Sequence, residues 1–360
     1  MEKRFIWLLF ALFIEVLFFI AVFNSSRYFK NFVYSMVLHK KHVVLVVGVI
    51  SAPSLVQRRQ AIRNTWFKFC HKRRDVVCKF FLDSLNDMDP GMNQVIVKEK
   101  TMHGDIEFMH VPRGVNFGRR ILWLLEWATK NYVFDFVLRV DDDVFVCLQR
   151  LLFELPHRQE RRVCQCVSVY VRVVLGARPL YQKDQVRVDE EFLLLSSDLV
   201  DEFLKVRESL LCNPFGDISV ALWVNNVRDV TYFHDQRVYH EANSAHHELF
   251  AETSLCHKYL ALNSAYKTES LRYWINVQHE TTNNFDIVHV KPFVKVCNQS
   301  RYLKWREFAL GHRFEPVRCV RKPTWNLLGH IYLGRKGEEA KKNRKMKMIY
   351  QQQRTSPTPH

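Results

Sequence analysis

No CxxC pair occurs among the nine cysteines of this 360-residue chain, and Cys164-Gln165-Cys166 is too tightly spaced for an ordinary structural zinc site. A zinc-ribbon or zinc-finger module is therefore not expected. No internal repeat is visible, which argues against solenoids and propellers. Acidic residues are scarce: 37 Asp and Glu stand against 53 Lys and Arg, a formal charge of +16. A surface that basic attracts polyanions of any kind, including anionic lipid and nucleotide phosphates. The basic residues form no aromatic-interleaved module, so nucleic acid is not an expected partner. With 48% of residues apolar, a sizeable core can be built and global disorder is excluded.

The N-terminus also lacks something: no small-x-small cleavage site follows its apolar run, because Asn24-Ser25-Ser26 leads at once into Arg27. Phe5–Phe23 is nearly all apolar and just long enough to span a bilayer, with Glu15 as its one carboxyl. Lys3 and Arg4 precede it, which keeps the short N-terminus cytosolic and sends the rest into a lumen. The expectation is a single-pass type II protein: a cytosolic tail over 1–4, a signal anchor over 5–23, a stem over 24–40, a globular domain over 41–311 and a basic tail over 312–360. An oxidising lumen predicts that several of the cysteines pair, the odd count leaving at least one out. The sequon Asn298-Gln299-Ser300 suits a luminal surface.

Val43–Val49 is an apolar run broken only by Gly48, the pattern of a strand buried on both faces. Ser54 with Gln57 reads as a capping box, and Leu55, Ile62, Trp66 and Phe69 fall on one face of the helix that follows. Val76–Leu82 and Ile106–Val111 are predicted strands; Ile121, Leu124, Leu125 and Ala128 form a helical stripe. Phe134, Phe136, Leu138 and Val140 then alternate with Asp135, Val137 and Arg139 as in a strand. Strand and helix alternate throughout, which predicts an α/β, doubly wound nucleotide-binding fold with a mainly parallel sheet. Later, Glu191–Leu195 suggests a strand, and Asp198–Leu211 and Ile218–Val227 suggest helices.

Asp141-Asp142-Asp143 closes the Phe134–Val140 strand and precedes a second apolar run, Val144-Phe145-Val146. Extended chain would point Asp141 and Asp143 to one side and Asp142 to the other. Two carboxylates on one side can hold a divalent ion while leaving oxygen positions open for a diphosphate. Mn²⁺ or Mg²⁺ suits such all-oxygen ligands. The alternative is a solvated acidic turn, which explains poorly why three carboxylates sit between two apolar runs.

Val43–Val47, the segment Gln57-Arg58-Arg59-Gln60-Ala61-Ile62-Arg63-Asn64-Thr65-Trp66, and Phe136-Val137-Leu138-Arg139-Val140-Asp141-Asp142-Asp143-Val144-Phe145-Val146 together resemble the β-1,3-galactosyltransferase family. The resemblance spans about Val43 to Glu269. Within that family, His234-Asp235-Gln236-Arg237 and the Cys256 region look similar to the enzyme that adds the second galactose of the glycosaminoglycan linker. The resemblance implies a GT-A fold, a UDP-sugar donor, a glycan acceptor, Mn²⁺, inversion at the anomeric carbon and residence in the Golgi membrane. Asp141, Asp142 and Asp143 would then bind metal and diphosphate, with Asp141 and Asp143 on the metal. Arg58, Arg59 and Arg63 would lie beside the nucleotide, Arg58 and Arg63 being the two expected to touch it; an arginine there can clamp phosphate or stack on uracil.

The family's general base is matched by Asp217, in Gly216-Asp217-Ile218-Ser219-Val220-Ala221. An inverting displacement needs one carboxylate to take the acceptor hydroxyl proton; Asp217 also suits a helix N-cap. The glutamate that the family carries before this aspartate is Gly216 in this chain, which removes one negative neighbour of Asp217. Where the family is glycine-rich, this chain reads Val188-Asp189-Glu190-Glu191-Phe192. The family's late metal-binding histidine has no counterpart in Tyr259–Tyr266; His257, His246 and His247 are nearby candidates. Two readings stay open: an active UDP-sugar-dependent hexosyltransferase, or a degenerate relative that serves as a Golgi binding or chaperone protein.

Overall fold

The computed structural model describes residues 40–157, 163–165, 169–171, 185–233, 235, 237–239, 249–250, 252–278, 280, 285–288 and 314–325. The expected anchor, stem, sequon, His246, His247 and the basic tail beyond residue 325 lie outside them. No helix among the described residues is long and apolar enough to cross a membrane. Two compact units divide the chain: Met1–His42 with Asn131–Val133, and Val43–Lys130 with Phe134–His360. Of the first, only Lys40–His42 and Asn131–Val133 are described, as strand and helix termini. Apart from those termini, the elements below belong to the second.

Its strands are β1 (Lys41–Ile50), β2 (Val76–Leu82), β3 (Ile106–Phe108), β4 (Tyr132–Asp141), β5 (Phe145–Val146), β6 (Val163–Gln165), β7 (Val169–Val171), β8 (Gln185–Arg187), β9 (Phe192–Ser196), β10 (Leu211–Cys212), β11 (Thr231–Phe233), β12 (Val238–Tyr239), β13 (Ala261–Leu262) and β14 (Val317–Arg318). Its helices are α1 (Val56–Asn64), α2 (Phe67–Lys72), α3 (Pro90–His103), α4 (Phe117–Asn131), α5 (Leu148–Glu154), α6 (Ser197–Lys205), α7 (Gly216–Val224), α8 (Leu255–Lys258) and α9 (Lys267–Val277). Seven strands form the main sheet in the order β11-β6-β9-β4-β1-β2-β3. β1, β2 and β3 pair in parallel, as do β6 and β11. β9 runs antiparallel to both its neighbours, β4 and β6. The sheet is mainly parallel, as predicted, with one reversed strand beside the acidic run.

Both faces of the sheet are covered, which explains the unbroken apolar runs. Leu45, Val47, Val49, Phe80, Leu82, Leu138 and Val140 pack on one side with Ile62 and Trp66. Ile50, Phe81, Met109, Val111 and Leu124 pack on the other. Each such side chain contributes roughly 1.5–3 kcal/mol by leaving water. Gly48 is required by α4: a Cβ there would lie 2.5 Å from Leu124 Cδ1.

Local readings change in four places. The expected capping box does not form: α1 begins at Val56, capped by the Leu55 backbone, and no side chain caps it. Its apolar stripe is divided between two short helices, because the Thr65 hydroxyl donates to the Ala61 carbonyl (2.8 Å) where the first helix ends. The helix expected over Asp198–Leu211 stops at Lys205. Leu211 and Cys212 instead pair with Arg318 and Val317, and Cys212 is bonded to Cys319. The segment 314–325, assigned to a tail from sequence, thus contributes β14 and a disulfide. Two more bridges, Cys70–Cys78 and Cys147–Cys256, agree with the expected pairing.

Candidate active site

Asp141 is the last residue of β4. The chain then turns at once: the Val144 amide donates to the Asp141 carbonyl (3.2 Å). That i→i+3 closure replaces the alternation of extended chain with a turn. Asp142 turns inward and is buried. It accepts a hydrogen bond from Ser51 Oγ (2.8 Å) and one from Arg58 Nη1 (2.9 Å). The same Nη1 reaches Asp143 Oδ2 at 3.3 Å. Asp141 goes elsewhere, to Arg139 Nη2 at 2.8 Å. The turn itself is pinned by the small β5–β13 ladder and by the Ala265 amide, which donates to the Asp143 carbonyl (2.7 Å).

Arg58 therefore lies against the acidic run, its guanidinium 4.4 Å from the Tyr266 ring centre. Arg63 does not. Its guanidinium is buried against Asp105 (2.8 Å) and Glu99 (2.7 Å), and these contacts make it a structural residue. Helix geometry is the reason: Arg58 and Arg63 are five residues apart on α1, so they leave it in different directions. Arg59, expected beside the nucleotide but not in contact with it, is wired to the acidic run. It donates to Ser51 Oγ (3.0 Å), the hydroxyl that holds Asp142, and forks onto Glu99. Burial alone would raise the Glu99 carboxyl, but hydrogen bonds from Arg59 and Arg63 outweigh it and hold that group below its ordinary value.

Burial pushes the Asp141 carboxyl up to about 7, against the pull of Arg139, and Asp143, Glu191 and Asp142 add to the rise. This holds although 30% of its side chain stays accessible. The crowding of like charges is the electrostatic signature of a site that gains from a cation. The donor set is all oxygen and suits Mn²⁺ or Mg²⁺. It falls short of the six ligands either prefers. Among the described residues no group of three His, Cys, Asp or Glu side chains converges as a metal site. Asp141 and Asp143 fit such an ion only in company with further oxygens, from a diphosphate and water. His257 does not supply a ligand of a described cluster; it packs edge-on against Phe285, with ring centres 4.7 Å apart.

Asp217 lies buried in the first turn of α7. It is not the N-cap, a place that Phe215 holds; its Oδ1 accepts from the Ile218 amide (2.8 Å). The negative neighbour expected to be missing at position 216 is supplied from the loop before β9. The Glu190 carboxyl abuts Gly216, so that a Cβ built on the glycine would be 3.0 Å from Glu190 Cδ. Arg139, fully buried, reaches the Glu190 backbone carbonyl and lies 3.9 Å from its Oε2. Burial first, then Asp217 and Asp141, push the Glu190 carboxyl well up, with Arg139 opposing. Arg139 and Glu190 thus connect the acidic run to Asp217. The sequence signal for both was a charge inside an otherwise apolar strand and its flank.

Residues 57–235 match the family model described as galactosyltransferase. That stretch contains Arg58, the acidic run, Glu190 and Asp217. Residues 57–235 form a domain of the galactosyltransferase family. Its relatives in the galactosyltransferase family include mouse beta-1,3-galactosyltransferase 6, 30% identical over 211 residues that cover 54% of this chain and 63% of the relative. Another is a probable beta-1,3-galactosyltransferase 4 of Arabidopsis thaliana, 26% identical over 40% of this chain and 37% of its own length. The chain thus spans less than two thirds of either relative. Among solved structures, the galactosyltransferase LgtC with donor and acceptor sugar analogues aligns at a TM-score of 0.35 and 10% identity, covering 67% of this chain and 98% of that one.

Proposed function

We propose that this chain is an inverting β-1,3-glycosyltransferase of GT-A type that moves a hexose, galactose by the resemblance, from a UDP-sugar to a glycan on a glycoprotein or proteoglycan. The observation that carries the reading is the acidic run ending a central strand, gripped by Arg58, Ser51 and Arg139 and joined through Glu190 to a buried carboxylate at Asp217. Asp143 is the principal metal ligand and Asp141 assists it, directly or through the ribose. Bound Mn²⁺ supplies charge neutralisation for the departing diphosphate. Arg58 holds the acidic run in register and offers its guanidinium face, already stacked on Tyr266, to the nucleotide. Asp217 takes the proton of the acceptor hydroxyl as that oxygen attacks the anomeric carbon on the face away from UDP. The chain works in the Golgi as a single-pass type II protein with this domain in the lumen.

The test is UDP release and sugar transfer by the full-length chain in detergent, across UDP-sugars and β-linked acceptors, with and without Mn²⁺. Transfer that depends on Mn²⁺ and on one donor is expected. Donor binding without transfer to any acceptor would overturn the reading in favour of a degenerate binding protein.

A further inference from the structure

Gly216 opens α7 without any backbone reason to be glycine. Glycines with positive φ are confined, among the described residues, to Gly104 and Gly114. What position 216 needs is room. A Cβ there would overlap Glu190 Oε2 and lie 2.6 Å from Ile121 Cδ1. The occupant of that room is odd for a packing group. Glu190 Oε2 is buried and has no hydrogen-bond partner, and the Nε of Arg139 beside it is buried and unpartnered as well. An unsatisfied buried carboxyl oxygen is costly and is seldom kept for packing alone.

We propose that Glu190 is a positioning residue of the acceptor half-site: its carboxyl group fills the space left open by Gly216 and, set between Arg139 and Asp217, orients Asp217 toward the acceptor hydroxyl. This rests on the glycosyltransferase reading above. Physically, the group is held from two sides. Arg139 anchors the backbone of Glu190 through its carbonyl and also pairs with Asp141, so the loop before β9 moves with the acidic run. The Asp217 charge acts on Glu190 from α7, whose first residue, Gly216, lies against the Glu190 carboxyl. That contact, at the residue before Asp217, fixes the start of α7 and the direction in which the Asp217 side chain leaves it. Only Asp217 touches the reacting proton; Glu190 acts through it.

The interlock and the positioning role are separable by exchange. Four forms of the full-length chain are compared: wild type, Glu190→Ala, Gly216→Glu and the double variant, with Glu190→Gln as a fifth. Gly216→Glu alone should lower Tm by about 2–10 °C through overpacking, and removing the Glu190 side chain in the double variant should restore most of that loss. Glu190→Ala should keep Mn²⁺·UDP affinity, measured by calorimetry, yet lower kcat by roughly 10-fold or more. The double variant, with a carboxyl delivered from position 216, should recover a measurable share of kcat. Glu190→Gln should keep Tm and donor affinity while kcat falls. Tm losses that simply add in the double variant would overturn the interlock. A Glu190→Gln chain with wild-type kcat would overturn the positioning role. A wild type that binds donor but transfers nothing refutes the functional reading and the positioning role with it, while the Tm exchange still judges the interlock.

Discussion

Three arginines within six residues illustrate how little a residue's type says about its task. Arg58 ion-pairs with Asp142 and Asp143, Arg59 reaches the same run through Ser51, and Arg63 is spent on Asp105 and Glu99. Their substitutions should therefore separate. Arg63→Ala strips the buried Asp105 carboxylate of its guanidinium, while Glu99 keeps Arg59, and should cost about 3–5 kcal/mol of stability. Among the molecules that still fold, UDP-sugar affinity should stay at the wild-type value; denaturant titration and calorimetry on the same preparation check both halves. Arg58→Ala should weaken donor binding, with Ser51 still donating to the buried Asp142 carboxylate. Equal effects of the two on donor affinity would place Arg63 back at the site.

The carboxylates divide in the same way. Asp143→Asn should abolish Mn²⁺-dependent UDP-sugar binding and leave the circular dichroism spectrum unchanged. Asp217→Asn should retain Mn²⁺·UDP affinity and lose about 10²–10⁴-fold in transfer rate, the usual effect of removing a general base. Transfer at the wild-type rate by Asp217→Asn would leave that residue a role in the first turn of α7 and nothing more.

At the scale of elements, close approach decides what a position tolerates. β1 and α4 meet at Gly48, where Leu124 leaves no space for a methyl group. Gly48→Ala should destabilise by about 1–3 kcal/mol, read as a lower denaturant midpoint at unchanged slope. A second element-scale case is the short α8, whose opening amide of Cys256 donates to Glu280 Oε1 (3.2 Å). Burial, with the Glu252 charge adding to it, raises the Glu280 carboxyl from 4.5 to about 7 despite amide hydrogen bonds that favour the ionised form. The folded chain then binds a proton that the unfolded chain has lost. This contribution to stability is fully present below about 4.5 and declines as pH rises through about 7. Glu280→Gln removes the titration, so its stability relative to wild type should rise across that window. A difference between the two proteins that does not change with pH would exclude the effect.

At the scale of the molecule, two disulfides close long loops. Cys147–Cys256 spans 109 residues and Cys212–Cys319 spans 107. Replacing Cys212 and Cys319 together by Ser should cost about 2–5 kcal/mol, checked by thermal unfolding with and without reductant. Such bridges form in an oxidising compartment, which agrees with the proposed luminal orientation. A C-terminal tag on the full-length chain should survive protease in sealed vesicles and be digested once detergent is added. Digestion without detergent would refute the topology.

Much of this was legible beforehand because it depends on short-range pattern. The apolar run at Val43–Val49, the alternation over Phe134–Val140 and the helical stripe of Ile121, Leu124, Leu125 and Ala128 each carry a period that burial enforces, and each became the expected element. Asp141–Asp143 announced itself because three charges between two buried strands need a purpose. Other features depended on partners far along the chain. The Asp141–Val144 turn set which carboxylate faces Arg58; a bond to Cys319 drew Leu211 and Cys212 out of a helix; and the loop before β9 brought Glu190 against Gly216. The sequence by itself determined which residues could be buried and which charges would sit among them, since solvation acts on each residue locally. Only the tertiary structure decided which charges meet, because a guanidinium or carboxylate reaches a few ångströms and its partner is chosen by the packing of elements 42 to 136 residues apart.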